Sequence, residues 1–230
     1  MEGVWDYPLF YTIRNSFCGS MRNLSDYYKN IRPKYINPKY NTVFFGNHDD
    51  ARFLNECNNK NSLRNALIFT LLYEGIPIFY YGDEQYFSGA KDPECREAMY
   101  GKHDTSSDAY KLIKKALDIR NYEKLYNEDL KEVYVDDDLY SYSRGNKTLV
   151  VVTNTDKTIE REFTEHQFKE GTILCNELED DDCVTVKNWK IPIKKKGEPK
   201  VFIPDSEDFR RFENSSWISI SIFLLLNLVF

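Results

Sequence analysis

A zinc-type metal centre is the first thing this 230-residue sequence lacks the means to build. Its five cysteines, Cys18, Cys57, Cys95, Cys175 and Cys183, include no Cys-x-x-Cys pair, and no histidine stands at ligand spacing from them. A basic surface is missing too: the formal net charge is −6, which argues against phosphate tracking and hence against a nucleic-acid partner. Met1 opens without the charged start and apolar core of a secretory signal, so no signal peptide is expected in this chain. No internal repeat is visible. The longest apolar run, Trp217 to Phe230, is broken by Ser219, Ser221 and Asn227 and falls short of the about 20 residues that cross a bilayer. It follows the small residues Asn214-Ser215-Ser216 as a lipid-anchor signal does, without the usual polar spacer, and suggests membrane attachment.

What is present is organised around Thr42 to Phe53. Val43, Phe44 and Phe45 form a short apolar run of strand-favouring residues, which Gly46 ends. His48, Asp49, Asp50 and Arg52 then crowd into the following loop. Asn61 or Ser62 is placed to cap a helix carrying Leu63, Ala66, Leu67, Thr70 and Leu71 at helical spacing, with Gly75 as its stop. A second apolar run, Ile76 to Tyr81, ends in Gly82-Asp83-Glu84. Strand, helix and strand with such short links predict a βαβ unit: two adjacent parallel strands whose loops open on one edge of the sheet. Polar residues at the C-terminal ends of buried parallel strands are how α/β folds present chemistry.

The flanking pattern fills in the rest. Val4 to Phe10 reads as a strand interrupted by Pro8, and Ser20 to Ile31 as an amphipathic helix. Thr105 or Ser106 starts another helix that runs to about Tyr122. From Val133 the period becomes alternating. A hairpin is predicted around Arg144-Gly145-Asn146-Lys147, and further strands at Ile159 to Phe163, Thr172 to Leu174, Val184 to Val186, Lys190 to Ile193 and Val201 to Ile203. Lys194-Lys195-Lys196 reads as a solvated turn. Residues 125–205 are therefore expected to form a small antiparallel β-sandwich after an α/β unit at 1–124, with 206–230 a charged linker and hydrophobic tail. Cys175 and Cys183 are close enough in sequence to close a small loop in an oxidising compartment, and the odd cysteine count leaves one thiol over.

Four motifs in order carry a resemblance. Phe44-Phe45-Gly46-Asn47-His48-Asp49 resembles the strand-7 motif of the α-amylase family of glycoside hydrolases (family 13), and Tyr81-Gly82-Asp83-Glu84-Gln85 the strand-8 end of its fungal-type members. Asp92-Pro93-Glu94-Cys95-Arg96-Glu97-Ala98 is similar to the loop that follows, and Glu2 to Pro8 to the strand-6 segment. The match is good over roughly residues 1 to 125 and only an outline beyond. It implies the C-terminal three βα units of a TIM (β/α)8 barrel and a retaining hydrolase of α-1,4-glucans, starch or glycogen. An α-glucosidase is the competing activity, and a non-catalytic, carbohydrate-binding remnant the competing class.

By the same resemblance Asp49 is the catalytic carboxylate that stabilises the transition state, while His48, Asp92 and Arg96 hold substrate. Arg52 would brace the loop around Asp49, Glu84 would be structural, and Trp5, Tyr7 and Tyr86 are candidates for the cleft lining. The nucleophile and general acid of the family follow strands 4 and 5, upstream of Met1, so this chain alone is expected to be inactive. The family's calcium ligands also lie mostly outside it. With the other strands missing, Val43, Phe45, Ile78 and Tyr80 would have inner faces open to water. The family further implies a monomer that is secreted or at the cell surface. Gly46, Asp50 and Ala51 depart from the fungal pattern, which usually has a larger polar residue, Asn and Pro there.

Overall fold

Asp6 begins the first helix of the computed structural model, which describes residues 3–205. Its carboxylate accepts from the backbone N–H of Leu9 at 2.9 Å, and Pro8 lies in the first turn, where a missing N–H costs no bond. Helix α1 (Tyr7–Phe17) therefore occupies most of the stretch expected to be a strand. What remains of that strand is one parallel bridge, Trp5 to Thr42. The proline that looked like a strand interruption is a helix starter. Asp6, itself buried, also accepts from Tyr27, Tyr35 and Asn41, which ties α1 to α2 (Arg22–Asn30) and to the residue preceding the first strand.

The βαβ unit forms as its spacing predicts. Strands β1 (Thr42–Val43) and β2 (Ile76–Pro77) pair in parallel, Thr42 opposite Ile76 and Val43 opposite Pro77. A short helix, α3 (Phe53–Cys57), precedes the crossover helix α4 (Lys60–Leu72). The cap of α4 is Asn59 rather than Asn61 or Ser62: its side-chain oxygen accepts from the N–H groups of both, at 2.8 and 3.1 Å. Val43 and Phe45 do not face water. Both are buried among the helices, while Phe44 between them stacks edge-on to Trp5 and Tyr7 at 5.6 and 5.3 Å. Phe44, on the opposite face, is buried as well, so both faces of this short run are covered by packed side chains. Ile78 and Tyr80 are half-buried, as a partly open face requires.

Helix α5 (Asp108–Tyr122) leads into eight antiparallel strands. They are β3 (Leu130–Val135), β4 (Leu139–Arg144), β5 (Thr148–Thr153), β6 (Thr158–Phe163), β7 (Ile173–Asn176), β8 (Cys183–Thr185), β9 (Ile191–Lys196) and β10 (Lys200–Pro204). Six form one sheet in the order β3-β4-β5-β10-β7-β8, and β6 pairs with β9 in a second. Val133, Leu149, Val151, Phe163, Ile191 and Phe202, drawn from both sheets, share one core.

The three-lysine run is strand, not turn. Ile191, Ile193 and Lys195 alternate inward along β9, and Lys195 is only 2% exposed, its amine 3.3 Å from the Val151 carbonyl and 3.4 Å from Asn65 Oδ1. Burial holds that amine well below the usual lysine pKa.

The helical part and the sheets share a core as well: Tyr140, Tyr142, Val150, Val152 and Val201 cluster with residues of α1, α4 and α5. Asn65 of α4 crosses the join, accepting from Thr153 N at 2.9 Å and donating to Gly197 O at 2.6 Å. Disulfides link Cys18 to Cys57 and Cys175 to Cys183, leaving Cys95 free and buried. Among the described residues no helix is long and apolar enough to cross a membrane, and Trp217 to Phe230 lies outside them.

Candidate active site

The site is built at the ends of β1 and β2. Gly46 follows β1 at a tight spot: a Cβ there would lie 3.1 Å from Asp83 Oδ2 and 3.3 Å from Tyr80 Cβ, so any larger residue makes those neighbours shift by a few tenths of an ångström. Asn47 then turns the chain. Its side-chain oxygen accepts from the N–H groups of Asp49 and Asp50, both at 2.8 Å, and its amide donates to Asp50 Oδ2 at 2.9 Å. This turn sets out His48 and Asp49, whose Nε2 and Oδ1 are 3.3 Å apart.

The four residues singled out from the sequence come together. Arg96 Nη2 lies 3.4 Å from Asp49 Oδ1, and Arg96 Nε lies 2.7 Å from Asp92 Oδ1 and 3.0 Å from the His48 carbonyl. Asp49 has a side chain 64% exposed, and Asp92, Arg96 and His48 are about as open, so the cluster is an accessible rim. The buried Cys95 thiol donates to the His48 carbonyl at 3.2 Å, a second tie between the two loops that composition gave no means to foresee.

Beneath the rim sits Arg52, its side chain wholly buried. Its guanidinium donates to the Tyr81 carbonyl, approaches Glu97 Oε2 at 2.9 Å and Asp83 Oδ1 at 3.5 Å, and lies 4.3 Å from the centre of the Tyr80 ring. Arg52 N donates to Gly89 O at 3.0 Å, and Glu97 Oε1 accepts from Ser88 N and Gly89 N. One buried cation thus joins the Asp49 loop, the end of β2 and the loop bearing Asp92 and Arg96. Burial pushes the Asp83 carboxyl up to about 7 against the pull of Arg52. Glu84 turns back to accept from Gly82 N at 2.8 Å, in keeping with a structural role.

Trp5 and Tyr7 are exposed beside Phe44. Tyr86 is committed elsewhere, donating to Asp108 at 2.7 Å and accepting from Arg64 at 2.9 Å. Among the described residues no three His, Cys, Asp or Glu side chains are grouped to hold a metal ion. Chemically, the rim offers one carboxylate, one imidazole and one Arg–Asp pair, a set matched to the hydroxyls of a sugar.

A family model described as "Alpha amylase, catalytic domain" matches residues 12–132, just over half of the chain, including all four rim residues. The chain belongs to the α-amylase family. The Beta/alpha-amylase of Paenibacillus polymyxa is 35% identical over 84% of the chain and 17% of its own length. An α-amylase of Saccharomycopsis fibuligera is 30% identical over 89% of the chain and 43% of its own. Among solved structures, an α-amylase from Malbranchea cinnamomea superposes with a TM-score of 0.83 at 25% identity, over 89% of the chain and 46% of that structure. The chain spans less than half the length of each of these relatives. The stretch matched by the catalytic-domain model includes the parallel β1–α4–β2 unit and its rim, and the fold neighbours include α-amylases with a TIM-barrel catalytic domain.

Proposed function

We propose that this chain is the part of a retaining, α-amylase-type glycoside hydrolase that carries the last three strands of the barrel, acting on α-1,4-glucans such as starch or glycogen. The observation that supports it is Asp49 Oδ1, set between His48 Nε2 and Arg96 Nη2 on an open rim at the ends of two parallel strands. In this role Asp49 accepts hydrogen bonds from hydroxyls of the sugar being cleaved. Those bonds are charge-assisted, and the carboxylate favours the positive charge that develops on the ring. His48 donates to the same sugar, and the Asp92–Arg96 pair accepts from and donates to a neighbouring glucose unit.

Retaining hydrolysis also needs a nucleophile and a general acid about 5 to 5.5 Å apart. Neither role falls to a residue of this chain in our reading, so its 230 residues by themselves cleave no glycosidic bond. The family's calcium ion is likewise assigned to none of them. Two disulfides fit an oxidising compartment and hence a secreted or cell-surface enzyme.

The test joins this chain to the first five βα units of a fungal relative and measures release of reducing sugar from maltoheptaose. Activity should be present and should fall about 10²- to 10³-fold with Asp49→Asn. A well-folded hybrid with no activity would favour the non-catalytic, carbohydrate-binding class instead.

A further inference from the structure

The tip between β8 and β9 holds a side chain that its own backbone disfavours. Asn188 and Trp189 both have positive φ, 53° and 59°, the two-residue hairpin geometry that suits Asn and Gly. A bulky residue there is strained, and Trp189 gains little burial in return, being 63% exposed. The tip is nonetheless firmly held. Glu170 accepts from the N–H groups of both Asn188 and Trp189 at 2.8 Å, one with each carboxylate oxygen. His166 Nε2 lies 3.1 Å from the Trp189 carbonyl, and Lys187 and Lys190 pair backbone to backbone at 3.1 and 3.0 Å. Lys190 is fixed in turn by Glu162 at 2.7 Å. A strained, exposed indole on a braced stand is the reverse of what folding alone selects.

We propose that Trp189 is a surface platform for a glucose unit of an α-glucan chain, a binding site in the β-sheet region separate in sequence from the Asp49 rim. A pyranose ring has an apolar C–H face that lies flat on one indole and an edge of hydroxyls. Here the hydroxyls would meet His166, Glu170 and Lys190, the polar groups that surround the turn. A protein partner would need about 800 Å² of contact on each side, and a single indole ringed by charged residues is a poor centre for such an interface. The identity of the sugar rests on the proposed glucan function. The existence of a platform does not.

The experiment is native electrophoresis of the whole chain through gels containing glycogen, beside melting curves. The wild-type chain should be retarded. Trp189→Ala and Trp189→Gly should each require at least about tenfold more glycogen for the same retardation. Adding Trp189→Ala to a His48→Ala, Asp49→Asn background should still raise the glycogen needed for the same retardation by at least about tenfold, which separates the platform from the rim. Trp189→Gly should melt at a higher temperature than wild type, because glycine accepts φ near 59° without strain. Unchanged retardation of the two Trp189 variants would overturn the proposal. So would wild-type mobility that glycogen leaves unaltered, sedimentation with phosphatidylcholine vesicles in place of glycogen retardation, or loss of retardation in Trp189→Gly accompanied by a lower melting temperature. Because retardation needs no bond cleavage, failure of the Asp49 hydrolysis test would leave this result standing.

Discussion

Arg96 stands between two carboxylates, its Nε 2.7 Å from Asp92 Oδ1 and its Nη2 3.4 Å from Asp49 Oδ1. All three side chains are about half exposed, and ion pairs of that kind contribute about 1 kcal/mol or less to stability. Their worth, if the proposed function holds, is in geometry: one guanidinium keeps Asp49 and Asp92 at a fixed separation. Arg96→Gln should therefore change the free energy of unfolding by less than about 1 kcal/mol. In the hybrid enzyme it should lower kcat/KM on maltoheptaose by at least about tenfold, a loss of transition-state contact near 1.4 kcal/mol. Urea denaturation and initial rates on the same samples decide it. A large stability loss, or unchanged kinetics, would show that Arg96 is only a strut.

A second arginine does structural work that no surface pair can. Arg144, buried on β4, donates to the carbonyls of Leu72 at 2.8 Å and Tyr73 at 2.7 Å, and through its other arm to Leu125 and Glu128. Arg120, from α5, reaches Leu71, Tyr73 and Gly75. Together they satisfy the last carbonyls of α4, where the helix dipole places negative charge, and they fasten α4 to the sheet. Arg144→Met would keep the bulk and strand those buried acceptors. Urea denaturation should show a loss of about 3 kcal/mol or more. A loss under about 1 kcal/mol would mean that water replaces the guanidinium.

The sequence made the site legible where one local pattern sufficed. Apolar runs ending at Gly46 and Gly82, with a helix between, admit little besides parallel neighbours, and β1 and β2 are parallel. That topology puts the loop of His48 and Asp49 on the same edge as Gly82-Asp83-Glu84, whereas Asp92 and Arg96 were pointed to only by the resemblance to the α-amylase family. Alternation likewise located seven of the eight later strands to within a few residues, β3 being the one it did not name. What stayed hidden depended on partners distant in sequence. Pro8 looks alike in a broken strand and in the first turn of a helix, and the choice was made by Asp6 finding Tyr27, Tyr35 and Asn41. Lys195 looks like a solvated turn until β6 pairs with β9 and Asn65 and Val151 receive its amine. The inward side of Val43 and Phe45 was likewise set by helices packed from elsewhere.

The two disulfides should differ in their contribution. Cys18 and Cys57 are 39 residues apart and join the end of α1 to the end of α3, whereas Cys175 and Cys183 are 8 apart across paired strands. If loop closure in the unfolded chain dominates, the longer loop is worth about 4 kcal/mol and the shorter about 2.5. Replacing both cysteines of one pair by serine, in separate variants, and measuring urea midpoints tests the order. The Cys18/Cys57 variant should be the less stable. Equal losses would mean that local contacts, not chain entropy, set the value of each link.

Asp83 gives the fold a pH dependence of definite sign. Its side chain is buried at the end of β2 beneath Gly46, with Arg52 at 3.5 Å and one carboxylate oxygen lacking a hydrogen-bond partner. Desolvation pushes its pKa up to about 7, although Arg52 and Arg14 favour the charged form. The folded chain therefore keeps a proton on Asp83 at pH values where the unfolded chain has released it. Stability from this group is fully present below the ordinary carboxylate range, declines as pH rises toward 7, and is level above that. Between pH 5 and pH 8 the decline is on the order of 2–3 kcal/mol. Asp83→Asn mimics the protonated form in shape and removes the titration, so its stability should fall less than that of the wild type over the same interval. Paired urea titrations at the two pH values measure the difference directly, and other carboxylates cancel in the comparison. Identical declines in the two proteins would show that Asp83 is ionised throughout, held so by Arg52, and that the buried pair rather than a neutral acid supports the loop under Asp49.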